Sequence, residues 1–255
     1  MTQPPQKGME RTGCDSRTWY RRPLGVLLEA AERAELERVL DSLFGYHLLQ
    51  VGQFGGDGPL AANRIPHHIV LNPGCAQNRG GATLYGDPTC LPIVSDSLDV
   101  IVLLHTLESE DDPHQVLREV DRTLIPEGHL VVLGFNPVSL WGLSRMLRAS
   151  KDPVPWCPRF FSQAQVKAWL SLLGFEMIES YSFFYKPAFR RHILMRRAQF
   201  LERIGSRLWP FMGGVYLLLA KKRVIAVTPI RPQWHHQRDL IPGGLAEPAP
   251  RNASR

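Results

Sequence analysis

GDPTCLPIVSDSLDVIVLLHTLESEDDPHQVLREVDRTLIPEGHLVVLGFNP, running from Gly86 to Pro137, is the stretch on which the fold turns. It holds two apolar runs, Leu98 to Leu104 and His129 to Phe135, each rich in Val, Ile and Leu. Both are far shorter than the ~20 residues a bilayer-spanning helix needs. Between them lies a helix signal. Asp112 is a good N-cap, Pro113 suits the first helical position, and Val116, Leu117, Val120 and Leu124 follow at helical spacing. Glu127-Gly128 ends the unit before the second run. A buried strand, a helix and a second buried strand form a βαβ crossover, whose strands lie parallel. Ligands of such sheets sit outside the carboxyl ends of the strands, which places Leu104-His105 and Phe135-Asn136 beside a site.

On the N-terminal side, residues 1 to 22 are polar and read as a flexible arm. From Leu24 to Phe44 the apolar positions follow a helical stripe, and Gly45 is a stop. Leu48 to Gly52 is a short strand before the glycine-rich turn QFGGDG. His68 to Leu71 is a second strand, ending at Asn72-Pro73, and Ala82 to Tyr85 a weaker third. On the C-terminal side, Ser139 to Leu147 reads as a short helix. A loop rich in proline, Lys151 to Pro158, carries Trp156. Ser162 caps a helix from Gln163 to Leu173, closed by Gly174. Phe175 to Tyr185 and Gly214 to Lys221 are two closing strands, with a basic amphipathic helix between them at 188–208. Residues 229–255, with five prolines, read as a tail. Strands alternating with helices give an α/β doubly wound plan. The expected organisation is an arm at 1–22, one domain at 23–228 and the tail.

Composition narrows the classes. At 255 residues and 44% hydrophobic content, the chain suits one substantial soluble core. Its first residues lack the apolar region of a secretory leader. Cys14, Cys75, Cys90 and Cys157 are scattered without a CxxC pair, which argues against a zinc site and for a reducing cytoplasm. The net charge of +6 is unevenly placed: Lys186 to Arg255 holds fourteen Lys or Arg against three acids, so the first 185 residues carry −5. A basic C-terminal third can meet RNA, anionic lipid or an acidic partner, or simply be a solvated surface.

Four places could carry chemistry. Glycines in QVGQFGG allow a ligand close to the backbone, although Phe54 interrupts the pattern; an ordinary tight turn gives the same signal. Asn72 ends the second strand, where nucleoside sites place an acid that accepts from both ribose hydroxyls. Its amide offers one acceptor and no charge, and it reads equally as a cap. Asp87 follows the third strand and can accept from an exocyclic amine, or organise an Asx turn. His105 lies just past Leu104 and is the one base the sequence nominates, though a hydrogen-bonded buried imidazole is the commoner fate. No GxxxxGK[ST], HExxH or GxSxG motif occurs.

Together these features resemble the class I S-adenosylmethionine-dependent methyltransferases, specifically the type 11 domain. The resemblance rests on GDPTCLPI, SDSLDVIVLLHTLE and DDPHQVLREVDRTLIPEGHLVV, in order and spacing, with LLQVG before them and GFEMIESYSFF and GVYLLLAKKRV after. LLQ-x-G and FNP-x-SLWG are similar to a small bacterial subgroup. The resemblance implies a Rossmann-like, three-layer α/β/α fold around a mostly parallel seven-stranded sheet with one antiparallel strand. It implies S-adenosylmethionine as cofactor, a methyl acceptor as partner, and no metal. By position, Gln50, Gly52 and Gly56 fall at the methionine part, Asn72 at the ribose, Asp87 at the adenine amine, and Leu104 and His105 along the methionine side.

Three departures from the family pattern follow. Gln50 replaces an acid, Phe54 a glycine, and Asn72 the ribose-binding acid. Weakened ribose contacts would cost about 1–3 kcal/mol, or tenfold to a hundredfold in affinity at about 1.4 kcal/mol per decade. Two functions compete at this level. One is a cytoplasmic methyltransferase whose Trp141 and Trp156 cover the pocket. The other is a binding module that keeps the fold and works through the basic helix, facing RNA or an anionic membrane.

Overall fold

A computed structural model describes residues 19–54, 60, 64–73, 84–139, 141–142, 159–185 and 213–224. The arm before Trp19, Gly56, the loop with Trp156, the basic helix at 188–208 and the tail lie outside the described residues. Chain contacts divide the molecule into Met1–Val224 and Ile225–Arg255, and the described residues all fall in the first unit.

The described elements are α1 (Pro23–Leu40), β1 (His47–Val51), β2 (His67–Asn72), β3 (Leu84–Tyr85), β4 (Leu98–Leu104), α2 (Thr106–Ser109), α3 (Pro113–Thr123), β5 (Leu124–Phe135), α4 (Gln163–Leu172), β6 (Phe175–Phe183) and β7 (Val215–Lys222). The strands form one seven-stranded sheet in the order β3-β2-β1-β4-β5-β7-β6. The pairs β2·β3, β1·β2, β1·β4 and β4·β5 are parallel. β7 runs antiparallel to both β5 and β6, so one reversed strand closes an otherwise parallel sheet.

Both faces are buried, which is why β4, β5 and β7 read as near-continuous apolar runs rather than alternating ones. On one face α1 lays Leu28, Leu36, Val39 and Leu40 against Leu48, Val100, Val102, Val131, Leu133, Leu217 and their neighbours. On the other face α3 and α4 pack Val116, Leu117, Val120, Val166 and Leu170 against Leu49, Ile101, Leu103, Leu130, Val132 and Leu218. The three-layer α/β/α architecture expected from the sequence is present.

The helix caps act as their residue types dictate. Asp112 Oδ1 accepts from the Gln115 amide at 3.0 Å, with Pro113 at the first helical position. Ser162 Oγ accepts from the Gln165 amide at 3.2 Å. Gly174 closes α4 with φ +84, a conformation that favours glycine. The strand after α3 begins earlier than the sequence suggests. Leu124 already pairs with Leu98, a register shift follows, and Glu127 at φ +65 bends the chain inside the strand before His129 resumes pairing with Val100. The Pro-Glu-Gly bend is thus internal to β5 and does not precede it.

Candidate functional site

The carboxyl ends of β3, β2, β1 and β4 lie side by side, and the candidate residues sit on them in that order. Val51 pairs with both Leu71 and Leu103, and Asn72 with Tyr85. Gly52, Asn72, Leu104 and the Gly86-Asp87 turn therefore form one rim. Gly56 lies outside the described residues.

Gly52 has a positional reason to be glycine. Its φ is +90, and a Cβ there would stand 2.8 Å from the Leu104 carbonyl oxygen. Its amide donates to the Leu71 carbonyl at 2.9 Å. The backbone after β1 thus runs close between the ends of β2 and β4. Gln50, fully buried, holds the next part of the turn: Nε2 donates to the Gly52 carbonyl at 3.0 Å, and Oε1 accepts from the Leu60 amide at 3.1 Å. An amide can do both at once, whereas a carboxylate can only accept.

Phe54 is turned inward. It is buried, meets Tyr20 edge-to-face at 5.7 Å between centroids, and carries the Arg33 guanidinium 5.0 Å over its ring. Asn72, nearly buried, donates from Nδ2 to Gln53 Oε1 at 3.3 Å. The position expected to be acidic is therefore half of an amide pair that joins the β1 and β2 ends. Asp87 is exposed and forms the Asx turn: Oδ1 accepts from both the Thr89 amide at 2.8 Å and the Thr89 hydroxyl at 2.7 Å. Its second carboxylate oxygen takes no hydrogen bond among the described residues. Nearby Glu110 is pushed up to about 7, first by burial and then by the charges of Asp87 and Asp111.

His105 closes β4 in the left-handed region, at φ 50 and ψ 24. It is 3% exposed. Its ring stacks on Phe135 with centroids 4.0 Å apart. Nε2 lies 2.9 Å from Glu32 Oε1, and Nδ1 lies 3.9 Å from Glu108 Oε1. Burial pulls its pKa down, but the charge and hydrogen bond of Glu32, together with the Glu108 carboxylate beyond Nδ1, outweigh this and raise it to about 9. The imidazole is therefore protonated at neutral pH. Glu108 also accepts the Phe135 amide at 2.7 Å. Thr106 Oγ1 donates to the Val51 carbonyl at 3.1 Å, tying the turn back to β1.

Past β5, Asn136 secures the chain. Its Nδ2 donates to the Gly213 carbonyl at 3.1 Å and its Oδ1 accepts from the Val138 amide at 3.1 Å. Phe135 stacks with Trp141 and Phe160, and Trp141 also meets Trp19 and Phe184. The wall at this end of the sheet is aromatic.

These features have counterparts in known proteins. A profile described as a methyltransferase domain matches residues 73–132. The uncharacterized protein YafS of Escherichia coli K12 is 32% identical over 210 residues, covering 82% of each chain. The chain belongs to the type 11 methyltransferase family. The fold agrees with solved structures at low identity. A Thermotoga maritima S-adenosylmethionine-dependent methyltransferase, a possible histamine N-methyltransferase, superposes with TM-score 0.57 at 19% identity, covering 83% of this chain and all of that one. A methyltransferase from Archaeoglobus fulgidus gives 0.54 at 17%, covering 76% and 94%. The cofactor this family and fold carry is S-adenosylmethionine. The rim suits it chemically: Gly52, without a side chain at the close approach to Leu104, neighbouring amides that can donate and accept, and an exposed carboxylate. Among the described residues no group of three or more His, Cys, Asp or Glu side chains could hold a metal ion. Among them, too, no helix is long and apolar enough to cross a membrane.

Three site residues were not read from the sequence. Gln53 is the partner of Asn72. Glu32 and Tyr20 belong to the buried network around His105, with Tyr20 Oη donating to Glu32 Oε2 at 2.9 Å. A signal for Glu32 existed: it stands between Leu28 and Leu36 at four-residue spacing, a charge inside the buried stripe of α1.

Proposed function

We propose that the protein transfers a methyl group from S-adenosylmethionine to an acceptor held over the carboxyl ends of β4 and β5, within a domain spanning 23–228. The observation that carries this reading is the rim itself. Gly52, Asn72, Asp87 and Leu104 lie on four adjacent strand ends, the crevice in which open α/β sheets bind their ligands. When bound, the cofactor supplies an electrophilic methyl on its sulfonium.

The chain's own residues then divide the work. Asp87 accepts from the adenine amine with its second oxygen. The Asn72–Gln53 amide pair meets the ribose hydroxyls in place of a carboxylate. The Gly52 backbone and Gln50 shape the turn against the methionine part. Leu104 packs along the same part. Phe135 and the aromatic wall exclude water and give the acceptor an apolar seat. His105, the sequence's nominated base, carries its proton at neutral pH, so its role there is to hold charge and geometry; it accepts a proton only above about pH 9. In-line methyl transfer depends chiefly on positioning, so an acceptor that arrives with a free lone pair requires no base.

Isothermal titration of the full chain with S-adenosylmethionine tests the proposal. Saturable binding that weakens on Asp87→Ala supports it, and a folded protein giving no heat at millimolar cofactor overturns it.

A further inference from the structure

Buried polar side chains from α1, from the chain just before it and from the end of β4 meet in one network. Glu32 lies on α1, fully buried, with one oxygen on His105 Nε2 and the other on the Tyr20 hydroxyl, both at 2.9 Å. A buried carboxylate is costly unless it is paired and hydrogen-bonded. Here every oxygen of Glu32 has such a partner. His105, in turn, is fixed from four sides: Glu32 at Nε2, Glu108 beyond Nδ1, Phe135 against the ring face, and its own amide donating to the Leu133 carbonyl at 3.2 Å. It is also held in the left-handed backbone region, where a non-glycine residue is uncommon and marks strain that surrounding structure must sustain.

We propose that Glu32 is a positioning residue of the methyl-transfer site: it keeps His105 as an imidazolium in a single orientation against Phe135, and so couples α1 to the methionine end of the cofactor crevice. The proposal rests on the functional reading above for its last clause. The other groups facing this pair are Glu108 from α2, Tyr20 just before α1, and Tyr216 of β7 beside Glu108. None of them replaces Glu32. Tyr20 donates its hydroxyl proton to Glu32, burial and Glu108 raise the Tyr216 pKa and keep that phenol neutral, and Glu108 sits 3.9 Å away with its near oxygen already on the Phe135 amide.

A plain structural staple would have the same contacts but a different response to pH. With the staple alone, replacing Glu32 loosens α1 and lowers stability, and cofactor affinity acquires no dependence on pH. With the positioning role, the isosteric Glu32→Gln keeps the bond from Tyr20 and releases the proton from His105. The measurement is the ¹⁵N imidazole spectrum of the full chain across pH 5.5 to 10, the resonance assigned through the Leu104-His105-Thr106 backbone. In the wild type, His105 is expected doubly protonated at pH 7.5, titrating near 9. In Glu32→Gln its proton affinity should fall about tenfold to a hundredfold, a shift of about one to two pH units. Tyr20→Phe, which keeps the carboxylate, should leave the titration near its wild-type position.

Affinity for S-adenosylmethionine supplies the second arm. It should be flat from pH 6 to 8 in the wild type and Tyr20→Phe, and acquire an inflection in Glu32→Gln. A wild-type His105 that titrates at or below 7 overturns the inference without any variant. So does a Glu32→Gln protein whose His105 titration is unmoved, or whose cofactor affinity falls by the same factor at every pH. The imidazole titration needs no cofactor. A wild type that shows the high titration but binds no cofactor therefore refutes the crevice assignment and leaves the Glu32–His105 linkage standing.

Discussion

Gln50→Glu restores the acid that the family pattern has at this position, yet the structure predicts that it destabilises the protein. Gln50 donates to the Gly52 carbonyl and accepts from the Leu60 amide with no exposed surface. A glutamate keeps the second bond, now charge-assisted, but as a carboxylate it turns an acceptor against the Gly52 carbonyl. Two escapes exist. Remaining ionised forfeits the bond and leaves a buried carbonyl facing an anion, about 2–5 kcal/mol. Taking up a proton keeps the bond, at about 1.36 kcal/mol per pH unit above a free glutamate's ~4.3, or about 3.7 kcal/mol at pH 7.

The cheaper route prevails, so the expected loss at pH 7 is about 2–4 kcal/mol. The sign with pH follows. The folded glutamate has a raised pKa, so the variant approaches wild type only below about 4.3, where both folded and unfolded forms become protonated. The deficit grows as pH rises from there toward the folded pKa, and then levels off. Urea unfolding of both proteins from pH 4.5 to 8, compared as differences at each pH, measures this. A variant equal to wild type at pH 7, or one whose deficit shrinks as pH rises, would falsify the claim that Gln50 serves as donor and acceptor at once.

Other expectations follow from the same geometry. Asn72→Asp should raise affinity for S-adenosylmethionine about tenfold, because a carboxylate accepts from both ribose hydroxyls while Gln53 flips its amide to donate to it; calorimetry showing no gain would remove Asn72 from the ribose. Gly52→Ala should cost about 2–4 kcal/mol in chemical denaturation, combining backbone strain at φ +90 with a Cβ held against the Leu104 carbonyl; a cost under about 0.5 kcal/mol would contradict that close approach. Finally, the His105 pKa of about 9 lies above its ordinary 6.5, so its stabilising contribution is complete below about 6.5 and is lost as pH rises through about 9. Thermal unfolding should therefore weaken across that window, and a melting temperature flat from pH 6.5 to 9.5 would count against the ion pair.

The central unit was legible because its signals are local. Asp112-Pro113 caps a helix whatever surrounds it, and two fully apolar runs flanking that helix describe strands buried on both faces. The rim was legible by topology: once the strands are parallel, their carboxyl ends and the residues on them follow. The partnerships were not. Gln50 with Leu60 and Asn72 with Gln53 depend on how a turn closes after β1, which no periodicity encodes. Glu32 with His105 joins residues 73 positions apart and across two layers, although the charge inside the α1 stripe was a mark of it. The bend at Glu127 was read as a strand boundary because Pro-Glu-Gly usually ends an element; inside β5 the pairing resumes after it, since β4 and β7 flank the strand on both sides.

The three departures from the family pattern make physical sense as one change, not three losses. A glycine at 54 would let a ligand lie on the backbone; the phenyl ring instead anchors that turn beneath Tyr20 and beneath Arg33, which lies on the helix that also supplies Glu32. An acid at 50 would leave the Gly52 carbonyl without its donor; the amide satisfies both ends of the turn. An acid at 72 could no longer donate to the Gln53 oxygen that Asn72 now meets. Each substitution trades an interaction with a bound molecule for one within the protein, and all three bear on the single turn after β1. Such a turn is set before any ligand arrives. A preformed crevice loses less conformational entropy on binding, which offsets part of the weaker ribose contact. Restoring the family residues one at a time should therefore impair the molecule at 50 and 54, where the partner is the turn or the core. Only at 72, on the open rim, can it improve binding.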